Sequence, residues 1–201
     1  MNKKEEILLR ASQMFMHFGL KSVTMDDLAN EMGVSKKTLY QEFADKKDLI
    51  NQTLDQIFAH DIELYKEVKQ SSANAIDTLF NFISEITKKM EMVHPSIFFD
   101  LQKYYPKAWQ KVNDHRRNFI GKTIQQNVLQ GQKEGLYRNE LEPDLISSIY
   151  ITITHGVITG EVKSKQEENN LIKDFKKVLS FMLYGMATEK GKTHINNICK
   201  I

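Results

Sequence analysis

The sequence predicts an all-α protein: an N-terminal three-helix helix-turn-helix unit followed by a larger helical domain, about nine helices in all. Three observations carry this expectation. Helix breakers are scarce, with nine glycines and three prolines in 201 residues. Apolar residues recur at helical spacing along almost the whole chain, and no stretch of convincing length alternates with the period of two that a half-buried strand needs. In the first fifty residues, capping residues and glycines also fall where the periodic stretches begin and end. A hydrophobic share of 41% with 27% charged residues is ample for a packed core.

Residues 3–18 place Ile7, Leu8, Ala11, Met14, Phe15 and Phe18 on one helical face, and Gly19 closes the segment. Thr24 caps a second helix, with Asp27 three residues on in the place a capping box gives to Glu, and Leu28, Ala29 and Met32 form its inner face. Gly33 ends that helix after about two turns. Ser35 caps a third, with Leu39 and Phe43 inward, and Asp45 starts a long fourth carrying Leu49, Ile50, Leu54, Ile57 and Phe58. Beyond residue 70 the pattern predicts helices at about 74–92, 96–104, 106–134, 143–163 and 168–189. Pro106 and Pro143 stand where a missing donor and a fixed φ favour a helix start. Gly131 and Gly135 bracket a helix end, and residues 163–170 read as a polar connection. The division follows as 1–48 for the N-terminal domain and 49–201 for the larger one.

Composition excludes several classes of function. Cys199 is the only cysteine, so the chain holds no internal disulfide, which suits a reducing compartment and a cytoplasmic location. The first residues run into an amphipathic helix rather than an apolar leader, and no stretch reaches 18 apolar residues, so no membrane role is expected. The six histidines show no short ligand spacing, and no nucleophile elbow, phosphate loop or Gly-rich cofactor turn is present. Neither metal, cofactor nor catalysis is expected, and the chain does not read as an enzyme. Net charge is only +2, and residues 1–50 carry eight basic and eight acidic side chains, so bulk charge does not argue for nucleic acid. Placement does better: Lys36, Lys37, Lys46 and Lys47 fall within twelve residues, while most of the acids sit at helix starts.

The informative stretch is Thr24–Asp48, TMDDLANEMGVSKKTLYQEFADKKD. Two short helices cross closely only if the inner position is small and the connector tolerates φ > 0; Ala29 and Gly33 supply both, and Val34 fills the space between. With Leu39 and Phe43 inward, the opposite face of the third helix presents Lys36, Lys37, Tyr40 and Gln41, which suit base edges and phosphates in a major groove. Capped helical hairpins with lysine-rich outer faces also occur without DNA, so the spacing alone leaves both readings open. Thr24, Ala29, Gly33-Val34-Ser35, Thr38-Leu39-Tyr40, Phe43, Lys46 and Leu49, read in order without gaps, resemble the N-terminal signature of the tetracycline-repressor (TetR) family of transcriptional regulators. The resemblance implies that Thr24, Tyr40 and Lys46 contact phosphates and that Lys36, Lys37, Thr38 and Gln41 lie at or near bases. Ser35 joins this set as the cap of a helix N-terminus, a ready anion site. Two positions depart from the family: Lys37 stands where glycine is frequent and Glu42 where an aromatic or histidine is frequent.

Beyond the signature, the resemblance implies a helical regulatory and dimerisation domain, a homodimer binding a palindromic double-stranded operator, and release by a small-molecule effector of unspecified class. Some of this has independent support. Helix 143–163 carries Leu145, Ile146, Ile149, Tyr150, Ile153, Val157, Ile158 and Val162, a band too wide for one buried face. Gly156 and Gly160 on that helix, with Val178 and Met182 on the last one, are the candidate dimer contacts. Aromatic residues around the Pro106 break make Phe98 and Trp109, with Phe119 further along the 106–134 helix and His155 on the 143–163 helix, the candidate effector contacts. The alternative from another class is a helical adaptor that uses its N-terminal helices for a protein partner and does not bind DNA.

Overall fold

The computed structural model describes residues 2–163 and 171–198 of the chain. Among them the helices are α1 (Lys3–Phe18), α2 (Met25–Glu31), α3 (Lys36–Glu42), α4 (Lys46–Ser71), α5 (Ala75–Met90), α6 (Ile97–Tyr104), α7 (Pro106–His115), α8 (Gly121–Lys133), α9 (Pro143–Thr159), α10 (Leu171–Met186) and α11 (Glu189–Ile198). A π-turn over Arg116–Ile120 joins α7 and α8 into one continuous helix, so the described residues form ten helices. No strand occurs among them; Tyr137 and Ala187 make one isolated antiparallel bridge. The all-α expectation holds. The described residues gather into two compact units, 2–63 with 92–114, and 64–91 with 115–163 and 171–198.

In the first unit the core is built from one face of each short helix. Ala11 and Phe15 of α1, Leu28 and Ala29 of α2, Leu39 of α3, and Leu49 and Ile50 of α4 are buried together, with Leu101 of α6 and Ala108 of α7 added from the distant segment. Local chemistry sets the boundaries. Asn2 forms a capping box with Glu5 at the start of α1, and Gly19, at φ 83°, ends it. Thr24 forms the same box with Asp27, so Asp serves in the place of Glu. Gly33, at φ 64°, turns the chain between α2 and α3, and Ser35 Oγ accepts from the Thr38 amide at the start of α3.

The second unit packs α5, α8, α9, α10 and α11 around Ile76, Ile124, Val128, Tyr137, Leu179 and Ile195. Asn127 lies inside this core, its Nδ2 donating to the Ala75 carbonyl at 2.8 Å and its Oδ1 accepting from the Tyr137 hydroxyl at 3.2 Å. Gly131 is required there: a Cβ on it would meet Tyr137 Cδ2 at 2.1 Å. Two predicted helix ends are corrected in this unit. The helix expected to reach residue 163 stops at Thr159, because Gly160 adopts φ 79° and the chain folds back until the Val162 amide meets the Gly156 carbonyl at 2.8 Å. The helix expected over 168–189 ends at Met186, and α11 follows it. Residues 168–170 lie outside the described residues. The break comes from partners distant in sequence: the Arg138 amide donates to the Met186 carbonyl, and the Thr188 amide donates to the Leu136 carbonyl. Thr188 Oγ1 then accepts from the Gly191 amide and so starts α11.

Candidate nucleic-acid interface

The two short helices α2 and α3 fix what the first unit offers to solvent. Leu39 and Phe43 are almost fully buried, at 0% and 1% exposure, so the helical period turns Lys36, Lys37, Tyr40 and Gln41 outward. Tyr40 is 47% exposed, a large amphipathic ring with about half of its surface open to solvent. Thr38 is half-buried, and its hydroxyl lies 2.8 Å from Ser35 Oγ, so both hydroxyls belong to the cap of α3.

The caps also define the charge pattern. Thr24 gives its amide and its hydroxyl to Asp27 Oδ2 at 2.8 and 2.7 Å, and those bonds hold the carboxyl below its ordinary range. Lys36 Nζ reaches back to Asp26 Oδ2 at 2.9 Å, and the hydrogen bond raises its pKa. Lys46, in the first turn of α4, is the half-buried member of the set. Its ammonium donates to the Leu20 carbonyl and lies 6.0 Å from the Phe15 ring centroid and 5.9 Å from that of Tyr105. Burial pushes its pKa down, with Asp100 and Asp27 opposing. Sequence reasoning did not foresee Asp26 and Asp100 in these roles. Asp100 is 5% exposed and takes the Lys21 amide at 3.1 Å and the Ser96 hydroxyl at 3.1 Å. The signal for both is non-local, so no motif announces it.

The remaining candidates divide between the units. Phe98 is half-buried on α6, and Trp109 packs on the core of the first unit. Phe119 belongs to the second, stacked on His115 at 5.1 Å and edge-on to Tyr65 at 6.0 Å. His155 is there too, its Nδ1 2.7 Å from Arg116 Nη1. Arginine only donates, so Nδ1 accepts and the ring is neutral, its proton on Nε2. Burial, then the Arg116 charge, lowers its pKa.

Among the candidate dimer residues, Gly156 lies beneath Val162, and Met182 is 8% exposed within its own unit. Val178 is half-buried, and Gly160 is the exposed end of α9. The space beside Gly156 is filled by the chain's own turn. The exposed apolar side chains nearby are Leu145 and Ile149 on α9, Val162, and Phe181 on α10, the last at 75%.

Comparison with known proteins bears on this arrangement. Residues 7–53 match the family described as bacterial regulatory proteins, tetR family. The HTH-type transcriptional regulator YhgD of Bacillus subtilis is 30% identical over 164 residues, covering 81% of this chain and 73% of YhgD. The HTH-type transcriptional repressor KstR2 of Mycobacterium tuberculosis is 27% identical over 156 residues, covering 72% of this chain and 74% of KstR2. A transcriptional regulator of Saccharomonospora viridis, solved in complex with choline, superposes with a TM-score of 0.70 at 20% identity over 92% of this chain and 98% of its own. With the capped helices and the signature they hold, these matches settle the family: the chain belongs to the tetR family of bacterial transcriptional regulators.

Proposed function

We propose that the protein is a homodimeric repressor that grips a palindromic operator with α3 of each copy and leaves it when a small-molecule effector binds. The observation that carries the DNA reading is the α3 face: Lys37, Tyr40 and Gln41 exposed over a fully buried Leu39. Phosphate contacts are assigned to Thr24, Tyr40 and Lys46, with Ser35 at the cap, and base contacts to Lys36, Lys37, Thr38 and Gln41. For Lys46 this requires its ammonium to exchange the Leu20 carbonyl for a phosphate oxygen.

The dimer reading is supported by Leu145, Ile149 and Phe181, large apolar side chains left exposed on α9 and α10. The interface is proposed on these residues together with Gly156, Gly160, Val178 and Met182. The functional division is proposed as 1–48 for DNA and 49–201 for effector and dimer contacts. It does not coincide with the packing units, because residues 92–114 share the first core. An effector is supported by the choline complex of the Saccharomonospora protein. In this chain Phe119 and His155 are the candidate contacts in the second unit. Among the described residues no helix is long and apolar enough to cross a membrane.

The test is selection of genomic fragments by the purified protein, followed by titration of a selected duplex against salt. Affinity that falls linearly on a log–log plot marks release of counterions from neutralised phosphates. Failure to retain any duplex at 50 mM salt would overturn the reading in favour of a protein partner.

A further inference from the structure

Two lysines of the first unit take no part in the contacts proposed for α2, α3 and α4. Lys21 lies in the loop between α1 and α2, and Lys103 in the last turn of α6; both are exposed. The fold brings them to one phenol ring. Lys21 Nζ is 4.9 Å from the Tyr104 ring centroid and 3.4 Å from its hydroxyl, and Lys103 Nζ is 5.5 Å from the same centroid. Lys103 also lies 5.2 Å from the ring centroid of Phe99, which meets Tyr104 edge-on at 6.4 Å. Among the described residues neither ammonium forms an ion pair, so both charges rest on these two rings and the phenol oxygen. Asp100, the acid beside them, serves the backbone instead. It is 5% exposed, and its Oδ2 takes the Lys21 amide and the Ser96 hydroxyl, each at 3.1 Å.

That clasp fixes where the Lys21 side chain starts, and its place is beside the proposed phosphate contacts. The carbonyl of the preceding residue, Leu20, accepts from the Lys46 ammonium. Thr24 is three residues on, so its Cα is no farther than about 11 Å from that of Lys21. If Lys46 exchanges the Leu20 carbonyl for a phosphate oxygen, that phosphate arrives at the Leu20–Lys21 peptide. A DNA strand presents a further charge about every 3.4 Å along its axis, so a second phosphate follows the first. Two ammonium groups sharing one ring repel each other, and a phosphate drawn to both relieves that repulsion. The aromatic platform also holds the two stems in place before DNA arrives, which lowers the entropy lost on contact.

We propose that Lys21 and Lys103, seated on Tyr104 and Phe99, grip the DNA backbone next to the phosphates assigned to Thr24 and Lys46. Helix α6 thereby enlarges the operator interface from a segment far outside the helix-turn-helix. This inference rests on the DNA-binding reading above and adds a contact to it.

The experiment compares the full chain with two double variants on a selected duplex, by fluorescence anisotropy across a salt series. Lys21→Gln/Lys103→Gln removes both charges from an exposed face. It is expected to bind at least about tenfold more weakly at low salt, with a log–log salt slope shallower by about 0.9 for each phosphate given up. Its preferred sequence is expected to stay that of the wild type, because backbone contacts carry no base information. Lys21→Arg/Lys103→Arg, which keeps the charges, is expected to retain the wild-type slope. A wild type that binds while the Gln variant matches its slope and affinity overturns this proposal alone. So does an Arg variant as weak as the Gln one, since the lysines would then serve packing, or a changed sequence preference, since they would then read bases. A wild type that retains no duplex overturns the DNA reading and this proposal together.

Discussion

Lys36 of α3 and Asp26 of α2 are joined by a 2.9 Å ion pair that spans the turn of the DNA-reading motif. Both side chains are about half exposed, at 49% and 63%, so solvent screens the pair and it adds little to stability. Its effect falls on binding, because Asp26 places a negative charge where phosphates are to approach. Asp26→Asn is expected to leave the melting temperature nearly unchanged while tightening operator binding several-fold. A fluorescence anisotropy titration checks this, and unchanged or weaker binding by the variant would show that Asp26 does not oppose the phosphates.

Tyr40 and Gln41 are neighbours with different expected roles. Tyr40→Ala is expected to weaken binding to all sequences alike, since a phosphate contact carries no base information. Substitution of Gln41 or Lys37 is expected to change the preferred sequence, with about 1–3 kcal/mol of discrimination lost at one base position. Parallel selections on a randomised duplex separate the two outcomes.

Phe181, three-quarters exposed on α10, tests the dimer. Phe181→Glu or Ile149→Glu is expected to raise the dimer dissociation constant by about tenfold or more, near 1.4 kcal/mol, without loss of helicity. Sedimentation velocity measures it, and an unchanged constant in both variants would move the interface elsewhere. Gly160→Arg is the less informative choice, because residue 160 has φ 79° and a side chain there strains the turn itself.

His155 predicts a pH dependence. Its folded pKa is depressed by burial and by Arg116, so on acidification the unfolded chain takes up its proton first. Stability from this group is therefore complete above the ordinary imidazole value of 6.5 and declines as pH falls below it, levelling off beneath the folded pKa. His155→Gln, which keeps a hydrogen-bonding side chain, is expected to flatten the loss of stability between about pH 7 and 5. Urea titrations across that interval are the measurement, and equal slopes for both proteins would exclude His155 as the cause.

The parts of the fold that were legible in the sequence are those decided by neighbours in the chain. Thr24 and Asp27 are three residues apart and cap α2; Ser35 and Thr38 do the same for α3; Gly19 ends α1 by its own conformation. What the sequence concealed is decided by partners far along it. Thr188 ends one helix and starts another because it meets Leu136, 52 residues away. Val162 occupies the space beside Gly156 only after the left-handed turn at Gly160, a contact that no local pattern in the sequence announces. The candidate site follows the same rule. The outward face of α3 is periodicity, whereas the inward ammonium of Lys46 depends on Leu20, Phe15 and Tyr105. Of the aromatic residues expected near one another, Trp109 packs on the core of the first unit, while Phe119, ten residues on, packs with Tyr65 and Phe82 in the second.

Asp100 has a consequence for how such proteins are recombined. Its carboxylate holds the Lys21 amide, and Leu101 beside it enters the same core as Ala11 and Leu39. The reading head is thus a composite inherited in two pieces. A chimera that transplants only the first fifty residues onto a foreign sensor would arrive without the aspartate that clasps its first loop. The same graft with residues 92–114 included would carry its own clasp with it.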